Sequence, residues 1–220
     1  MCNQACIKFG RTYLKEQDVK GKSVIEVGSL NINGSLRPIV EALHPSSYVG
    51  VDIQMGPGVD RVCDVLDLLD HFGYEKFGLL ISTELLEHVQ DWQNAISNFK
   101  NVLKPEGVLL VTTRSKGFKY HEFPFDFWRY ERTDMEAIFS DFIIEVIEKD
   151  PLRPGIFIKA RKPVTFNEND LTGYKLYSMV KEKRISSITD ADIPLFENSK
   201  RKIYGKKRSS ILSILQHKLK

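Results

Sequence analysis

Residues 23–35 read SVIEVGSLNINGS, and this stretch decides the fold. A short β-branched run ends at Gly28, and apolar residues at helical spacing begin soon after Gly34. A strand that ends in glycine before a helix is where open α/β sheets bind nucleotides. The dinucleotide fingerprint needs glycine where this chain has Leu30, and the carboxylate of Glu26 would repel a pyrophosphate. The turn therefore disfavours NAD and FAD and suits a cationic ligand.

Strand-like and helix-like segments alternate after this turn. Further strands are predicted at 48–53, 61–65, 77–82 and 108–113, and a helix from Asp91 to Leu103 separates the last two. The run at 77–82 is apolar nearly throughout, as in strands that are covered on both faces of a sheet. Such alternation indicates βαβ units and a mostly parallel sheet.

The pattern changes after Arg114. Residues 115–132 are rich in aromatic side chains, and strand candidates at 142–148 and 156–160 are close enough to pair as an antiparallel hairpin. We therefore expect an α/β fold with a Rossmann-like sheet of seven strands. The sheet should be mostly parallel with an antiparallel closing strand, and helices should cover both faces.

The chain of 220 residues divides into three predicted parts. A domain over 1–163 is followed by a polar extension over 164–198, which could hold one helix at about 170–183, and by a basic amphipathic tail over 199–220. The net charge is +3, but the tail carries eight Lys and Arg and no acidic residue. The pI therefore reflects the tail and does not make the whole fold a nucleic-acid binder.

Composition places the chain in the cytoplasm. No apolar run approaches the 18 residues of a membrane-spanning helix, and the first residues lack the apolar region of a secretion signal. The three cysteines, Cys2, Cys6 and Cys63, have no spacing typical of a zinc site. We expect them to be reduced thiols in a cytosolic protein.

Three further motifs follow the ends of predicted strands. Asp52 lies about 20 residues beyond the glycine turn, where a carboxylate can accept hydrogen bonds from both ribose hydroxyls. Asp64 could accept from an adenine amino group, and residues 82–89 read STELLEHV. In order and spacing these motifs resemble the class I methyltransferases that use S-adenosylmethionine, over roughly residues 20–162. The strings that carry the resemblance are EVGSLNINGS, YVGVDI, VCDV, STELLEHV and LKPEGVLLVTT.

The resemblance implies S-adenosylmethionine as the cofactor and assigns its contacts by position. Glu26 would bind the amino group of the methionine part, and Asp52 would bind the ribose hydroxyls. Leu30 departs from the family, because many members have a second glycine there, so Asn33 and Gly34 would shape the turn instead. The implied cofactor-binding residues are Glu26, Gly28, Ser29, Asn33, Asp52, Ile53, Asp64, Val65 and Thr83.

Two histidines are candidate catalytic residues. Methyl transfer is a direct displacement at the sulfonium methyl, and a hydroxyl nucleophile also needs a proton acceptor. His121 lies in the loop after the fifth strand, where an acceptor would be expected, and His88 belongs to the LEHV motif. Alternatively, His121 is a packed residue of an aromatic lid. Asp126 and Arg129 would then form an ion pair that fixes this loop.

The spacing E-x-x-E-H places Glu84, Glu87 and His88 near one another. Some ubiquinone-pathway O-methyltransferases, which this stretch looks like, bind a divalent metal with such a cluster. Many relatives with the same letters do not, and we expect no metal here. The alternative is that Glu84 begins a helix and that His88 packs near the cofactor.

The sequence therefore predicts a methyltransferase that acts on a small molecule or glycan, most simply on oxygen. The alternatives are a non-catalytic module that keeps the fold, or an RNA or protein methyltransferase. A degenerate site should have lost some of Glu26, Asp52 and Asp64, and STEL lacks the N/D-P-P-Y/F motif of many base methyltransferases. The tail over 199–220 is either solvated and loosely attached or bound to an anionic membrane surface, and its single aromatic residue, Tyr204, disfavours nucleic acid.

Overall fold

The computed structural model describes residues 3–121 and 125–193. The predicted tail, with its membrane contact, and Cys2 lie outside these residues. The helices are α1 (Gln4–Tyr13), α2 (Glu16–Val19), α3 (Arg37–Glu41), α4 (Leu68–Phe72), α5 (Trp92–Val102) and α6 (Arg132–Ile138). The strands are β1 (Ser23–Val27), β2 (Ser47–Asp52), β3 (Arg61–Val62), β4 (Phe77–Thr83), β5 (Leu103–Arg114), β6 (Trp128–Arg129), β7 (Ile143–Lys149), β8 (Gly155–Arg161), β9 (Leu176–Ser178) and β10 (Lys183–Ile185). Within the described ranges, no helix combines the length and the apolar character needed to cross a membrane.

A sheet of seven strands forms the centre, in the order β3-β2-β1-β4-β5-β8-β7. All neighbouring strands from β3 to β5 are parallel, whereas β8 is antiparallel to both β5 and β7. The predicted Rossmann-like sheet with an antiparallel closing strand is therefore confirmed. The hairpin turn is set by Asp150, whose carboxylate accepts from the backbone N–H of Leu152 at 2.8 Å.

The two faces of the sheet have separate apolar cores, because side chains alternate across each strand. Val24 belongs to the core that packs against α1, and Ile25 belongs to the core that packs against α5. Strand β4 is buried along its whole length, as expected for a central strand covered on both faces. Helix α5 begins after Asp91, whose side chain accepts from the N–H of Asn94 at 3.2 Å, so the first residue of the predicted helix is its N-cap.

The helix predicted at about 170–183 is wrong. This stretch holds β9 and the turn towards β10, and both strands belong to a second sheet in the order β10-β9-β6. The N–H of Met179 donates to the carbonyl of Phe127 at 2.8 Å. Leu176 is fully buried in the core that packs against α5, which we call the main core. Pairing with the open edge of β6 supplies hydrogen bonds to the backbone groups of this stretch. This tertiary contact outweighs the local preference for a helix.

We predict that Leu176→Ala lowers the free energy of unfolding by about 2 to 5 kcal/mol, because it leaves a cavity in the main core. Urea unfolding of the full chain measures this change. Val164→Ala, in the same extension but 70% exposed, is the matched control and should change stability by about 0.5 kcal/mol or less. Equal, small effects of both substitutions would mean that the extension does not share the domain core.

Candidate functional site

The glycine turn after β1 is fixed to the end of β2. The N–H groups of Gly28 and Ser29 both donate to the carbonyl of Val51, at 2.9 and 3.0 Å. Gly28 has a φ of +79°, and a Cβ there would lie 3.1 Å from the Cβ of Leu85 in the segment after β4. Glycine is therefore required both by backbone conformation and by the close approach of this segment.

Asp52 lies between the glycine turn and the end of β3. Its carboxylate accepts from the N–H of Leu30 at 3.2 Å, and its carbonyl accepts from the N–H of Cys63 at 2.9 Å. The next residue along the chain from Cys63, Asp64, caps a short 3-10 helix by accepting from the N–H of Leu66 at 3.1 Å. The predicted ribose and adenine carboxylates thus share one edge of the sheet.

The remaining predicted cofactor residues differ in their burial. Ser29, Val65 and Thr83 are buried, whereas Ile53 is 53% exposed and offers apolar surface beside Asp52. Asn33 is exposed. The N–H of Gly34 donates to the side chain of Asn31 at 3.0 Å, so Asn31, which the sequence analysis did not single out, also shapes the turn.

Glu26 is buried on β1 and is held by a neighbour on β2. The hydroxyl of Tyr48 donates to its carboxylate at 2.5 Å, and the guanidinium of Arg37 lies over the Tyr48 ring at 4.7 Å. Burial raises the pKa of Glu26 to about 7, although the Tyr48 hydrogen bond opposes this shift. The charge of this predicted cofactor ligand therefore changes near neutral pH.

Glu84 is held by two side chains at the end of β5. It has a φ of +55°, and its carboxylate accepts from the hydroxyl of Thr112 at 3.0 Å and pairs with Arg114. Arg114 also pairs with Asp150 at 3.0 Å, and the thiol of Cys6 lies 3.7 Å from Glu84. Burial raises the pKa of Glu84 well above its usual range, and Arg114 opposes this shift.

Glu87 and His88 lie in a 3-10 helix after β4 and point into the protein. One carboxylate oxygen of Glu87, Oε2, accepts from the hydroxyl of Thr113 at 2.8 Å, whereas Oε1 is buried without a hydrogen bond in the described part of the chain. His88 Nδ1 lies 2.5 Å from the carbonyl oxygen of Phe125, and His88 Nε2 is also buried without a hydrogen bond among these residues. Burial lowers the pKa of His88.

His121 reaches the same place from the loop after β5. Its Nδ1 lies 3.1 Å from Asp126, and its Nε2 lies 4.0 Å from Oε1 of Glu87. Arg129 donates to both oxygens of Asp126, at 2.5 and 2.6 Å, so the predicted ion pair is confirmed. Burial opposes ionisation, but the hydrogen bonds from Arg129 and His121 lower the pKa of Asp126 to about 2.

Three potential metal-ligand atoms converge at this point. Within the residues that the structure describes, Glu87, His88 and His121 offer one such atom each, and these atoms lie within 4.8 Å of one another. Glu84, which the E-x-x-E-H spacing would include, is engaged by Arg114 instead. The partners Thr113 and Arg114 were not predicted; their position at the end of β5, beside the LEHV motif, is the signal that could have found them.

Comparisons with known proteins agree with this geometry. Residues 4–143 match the family described as a methyltransferase domain. The chain belongs to this family, and its fold is that of the class I methyltransferases. S-adenosylmethionine is the cofactor of the class, so the predicted class, fold and cofactor are confirmed.

Individual relatives are more distant. Proteins named ubiquinone biosynthesis O-methyltransferase from strains of Coxiella burnetii are 30% identical over 121 residues, which are 49% of this chain and 50% of theirs. The chain thus spans about half the length of these curated relatives.

Two solved structures illustrate the shared fold. One is an S-adenosylmethionine-dependent methyltransferase from Mesorhizobium loti, with 18% identity, a TM-score of 0.56 and coverage of 72% of this chain and 98% of that chain. The other is the 1,6-didemethyltoxoflavin-N1-methyltransferase of Burkholderia thailandensis with bound 1,6-didemethyltoxoflavin and S-adenosylhomocysteine. It has 13% identity, a TM-score of 0.58 and coverage of 73% and 79%. At these identities the likeness concerns the fold alone.

We predict that Glu26 makes the protein less stable as the pH rises. Its pKa is about 7 in the folded protein against 4.5 ordinarily, so the folded state binds more protons in this window and loses stability as they dissociate. Relative to Glu26→Gln, the wild type should lose about 2.5 kcal/mol of unfolding free energy between pH 5 and pH 8. Urea unfolding across this range measures the difference.

The matched control for this measurement is Asp70→Asn, which removes an exposed carboxylate on α4 outside the candidate site. A pH-independent difference between wild type and Glu26→Gln would show that Glu26 titrates normally.

Proposed function

We propose that this protein transfers the methyl group of S-adenosylmethionine to a hydroxyl oxygen of a small molecule or glycan. The observation that carries the proposal is the position of His121. Its Nδ1 is held by Asp126, and its Nε2 faces the buried carboxylate of Glu87. The segment that carries Glu87 begins beside the glycine turn, since Leu85 packs against Gly28.

The cofactor would lie along the carboxyl ends of β1, β2 and β4. In this arrangement Asp52 accepts from the ribose hydroxyls, Glu26 binds the amino group, and Asp64 lies at the adenine edge. The backbone of Gly28 allows the methionine part to approach closely. The sulfonium supplies the electrophile, so these residues act by alignment and by exclusion of water.

The acceptor oxygen would attack the methyl carbon as its proton moves to Nε2 of His121. A carbon–oxygen bond forms, the carbon–sulfur bond breaks, and the sulfonium becomes the neutral thioether of S-adenosylhomocysteine. The proton would then be held on His121, whose Nδ1 lies 3.1 Å from Asp126 and whose Nε2 lies 4.0 Å from Glu87. His88, in edge-to-face contact with His121 at 4.7 Å, completes the catalytic pair.

A hydroxyl acceptor is supported by two further observations. The curated relatives over half of this chain carry the name of an O-methyltransferase. In addition, the segment after β4 reads STEL and lacks the motif that holds a target base amine in many nucleic-acid methyltransferases. Contact of the tail over 199–220 with a membrane surface stays a prediction, since those residues lie outside the described part of the chain.

The test is turnover of His121→Gln with two probe acceptors, 3,4-dihydroxybenzoate and methyl glucoside, analysed by mass spectrometry for methylated product. Removal of a general base should lower kcat by about 100-fold or more while affinity for S-adenosylhomocysteine stays within about twofold. His71→Gln, an exposed histidine on α4, is the matched control and should retain full activity. Wild-type kcat in His121→Gln, or no methylation of either probe by the wild type, would contradict the proposal.

A further inference from the structure

Glu87, His88 and His121 lie together beside the position proposed for the methyl acceptor. One potential ligand atom each of Glu87, His88 and His121 lies within 4.8 Å of the other two, and Nε2 of His121 lies 4.0 Å from Oε1 of Glu87. Glu87 is fully buried, and its Oε1 and the Nε2 of His88 lack a hydrogen bond in the described part of the chain. Buried polar atoms without partners are uncommon in folded proteins, so the arrangement calls for a binding partner.

The tautomers of both histidines follow from the groups that hold their Nδ1 atoms. His88 Nδ1 lies 2.5 Å from the carbonyl oxygen of Phe125, which can only accept, so Nδ1 carries the hydrogen. His121 Nδ1 lies 3.1 Å from Asp126, a carboxylate kept ionised by its two bonds from Arg129. With the hydrogen of each ring on Nδ1, the lone pair of the ring lies on Nε2, the nitrogen that a metal ion would use.

The surroundings of the three atoms match those of a metal site. Ligating histidines usually donate their other N–H to a carbonyl or a carboxylate, and both rings do so here. The second oxygen of Glu87 is held by Thr113 at 2.8 Å, which leaves Oε1 directed at the two rings. One carboxylate and two imidazoles form a common ligand set for Zn²⁺ and neighbouring first-row ions.

The geometry points to a divalent cation site formed by Glu87, His88 and His121, for Zn²⁺ or a similar borderline ion. This ligand set differs from the one that the E-x-x-E-H spacing suggests, since Glu84 is withdrawn by Arg114 and Thr112. His121, from the loop after β5, takes its place. A separation of 4.0 Å between His121 and Glu87 exceeds the spacing of about 3.4 Å in a tetrahedral zinc site, so small side-chain rotations would close the shell.

The cation site does not depend on the proposed function. Without the ion, Nε2 of His121 is available to take the acceptor's proton. With the ion bound, the same lone pair is used for coordination, and an acceptor hydroxyl would lose its proton more readily by binding the cation. His121 would therefore act as the general base in the metal-free protein and as a metal ligand in the metal-bound protein. Measuring the metal content distinguishes these two forms without an activity assay.

The test is direct binding of Co²⁺ and Zn²⁺ to the untagged full chain after treatment with chelator. Equilibrium dialysis with elemental analysis gives the stoichiometry, and the visible spectrum of bound Co²⁺ reports its coordination. We expect one ion per chain, and at least about 100-fold weaker binding by His121→Gln and by Glu87→Gln. Binding of S-adenosylhomocysteine and the thermal unfolding midpoint verify that each variant is folded.

Two control variants make the ligand set falsifiable. Glu84→Gln and His71→Gln should bind the ion as the wild type does, because neither residue belongs to the cluster. Absence of stoichiometric binding by the wild type would overturn the proposal. So would loss of binding in Glu84→Gln together with retained binding in His121→Gln, which would restore the set suggested by the spacing.

Discussion

The hydrogen bonds from Gly28 and Ser29 to the carbonyl of Val51 are the contacts on which the site depends. They hold the turn after β1 against the end of β2, and the positive φ of Gly28 lets Leu85 approach from β4. Parallel pairing of these strands then brings the loops at their carboxyl ends together. Every residue proposed to bind the cofactor lies on one of the strands β1 to β4 or in the segments that follow them.

Much of this arrangement could be predicted because it is encoded locally. Continuous apolar runs identify buried strands, Asp91 identifies the start of α5, and a glycine after a strand identifies the cofactor turn. The Asp126–Arg129 ion pair could also be predicted, because its members are three residues apart in an aromatic loop that needs a fixed structure. Short-range spacing was sufficient in each of these cases.

The predictions that failed concern contacts over long sequence distances. The stretch near Leu176 was expected to be helical, but the open edge of β6, nearly fifty residues away, makes it a strand. The spacing of Glu84, Glu87 and His88 suggested one cluster, but the positive φ of Glu84 directs its side chain to Arg114. Neither a distant strand edge nor a single residue with a positive φ leaves a periodic signal in the sequence. The approach of His121 to Glu87, at 4.0 Å, likewise becomes visible only in the structure.

The most direct measurement is calorimetric titration of S-adenosylhomocysteine into wild type and Asp52→Ala. The carboxylate of Asp52 lies between the glycine turn and the end of β3, where the ribose would lie. Micromolar binding by the wild type, weakened at least about tenfold in Asp52→Ala but not in Asp70→Ala, is the result that we expect. Equal affinity in wild type and Asp52→Ala, or no binding by the wild type, would contradict the account of the cofactor site.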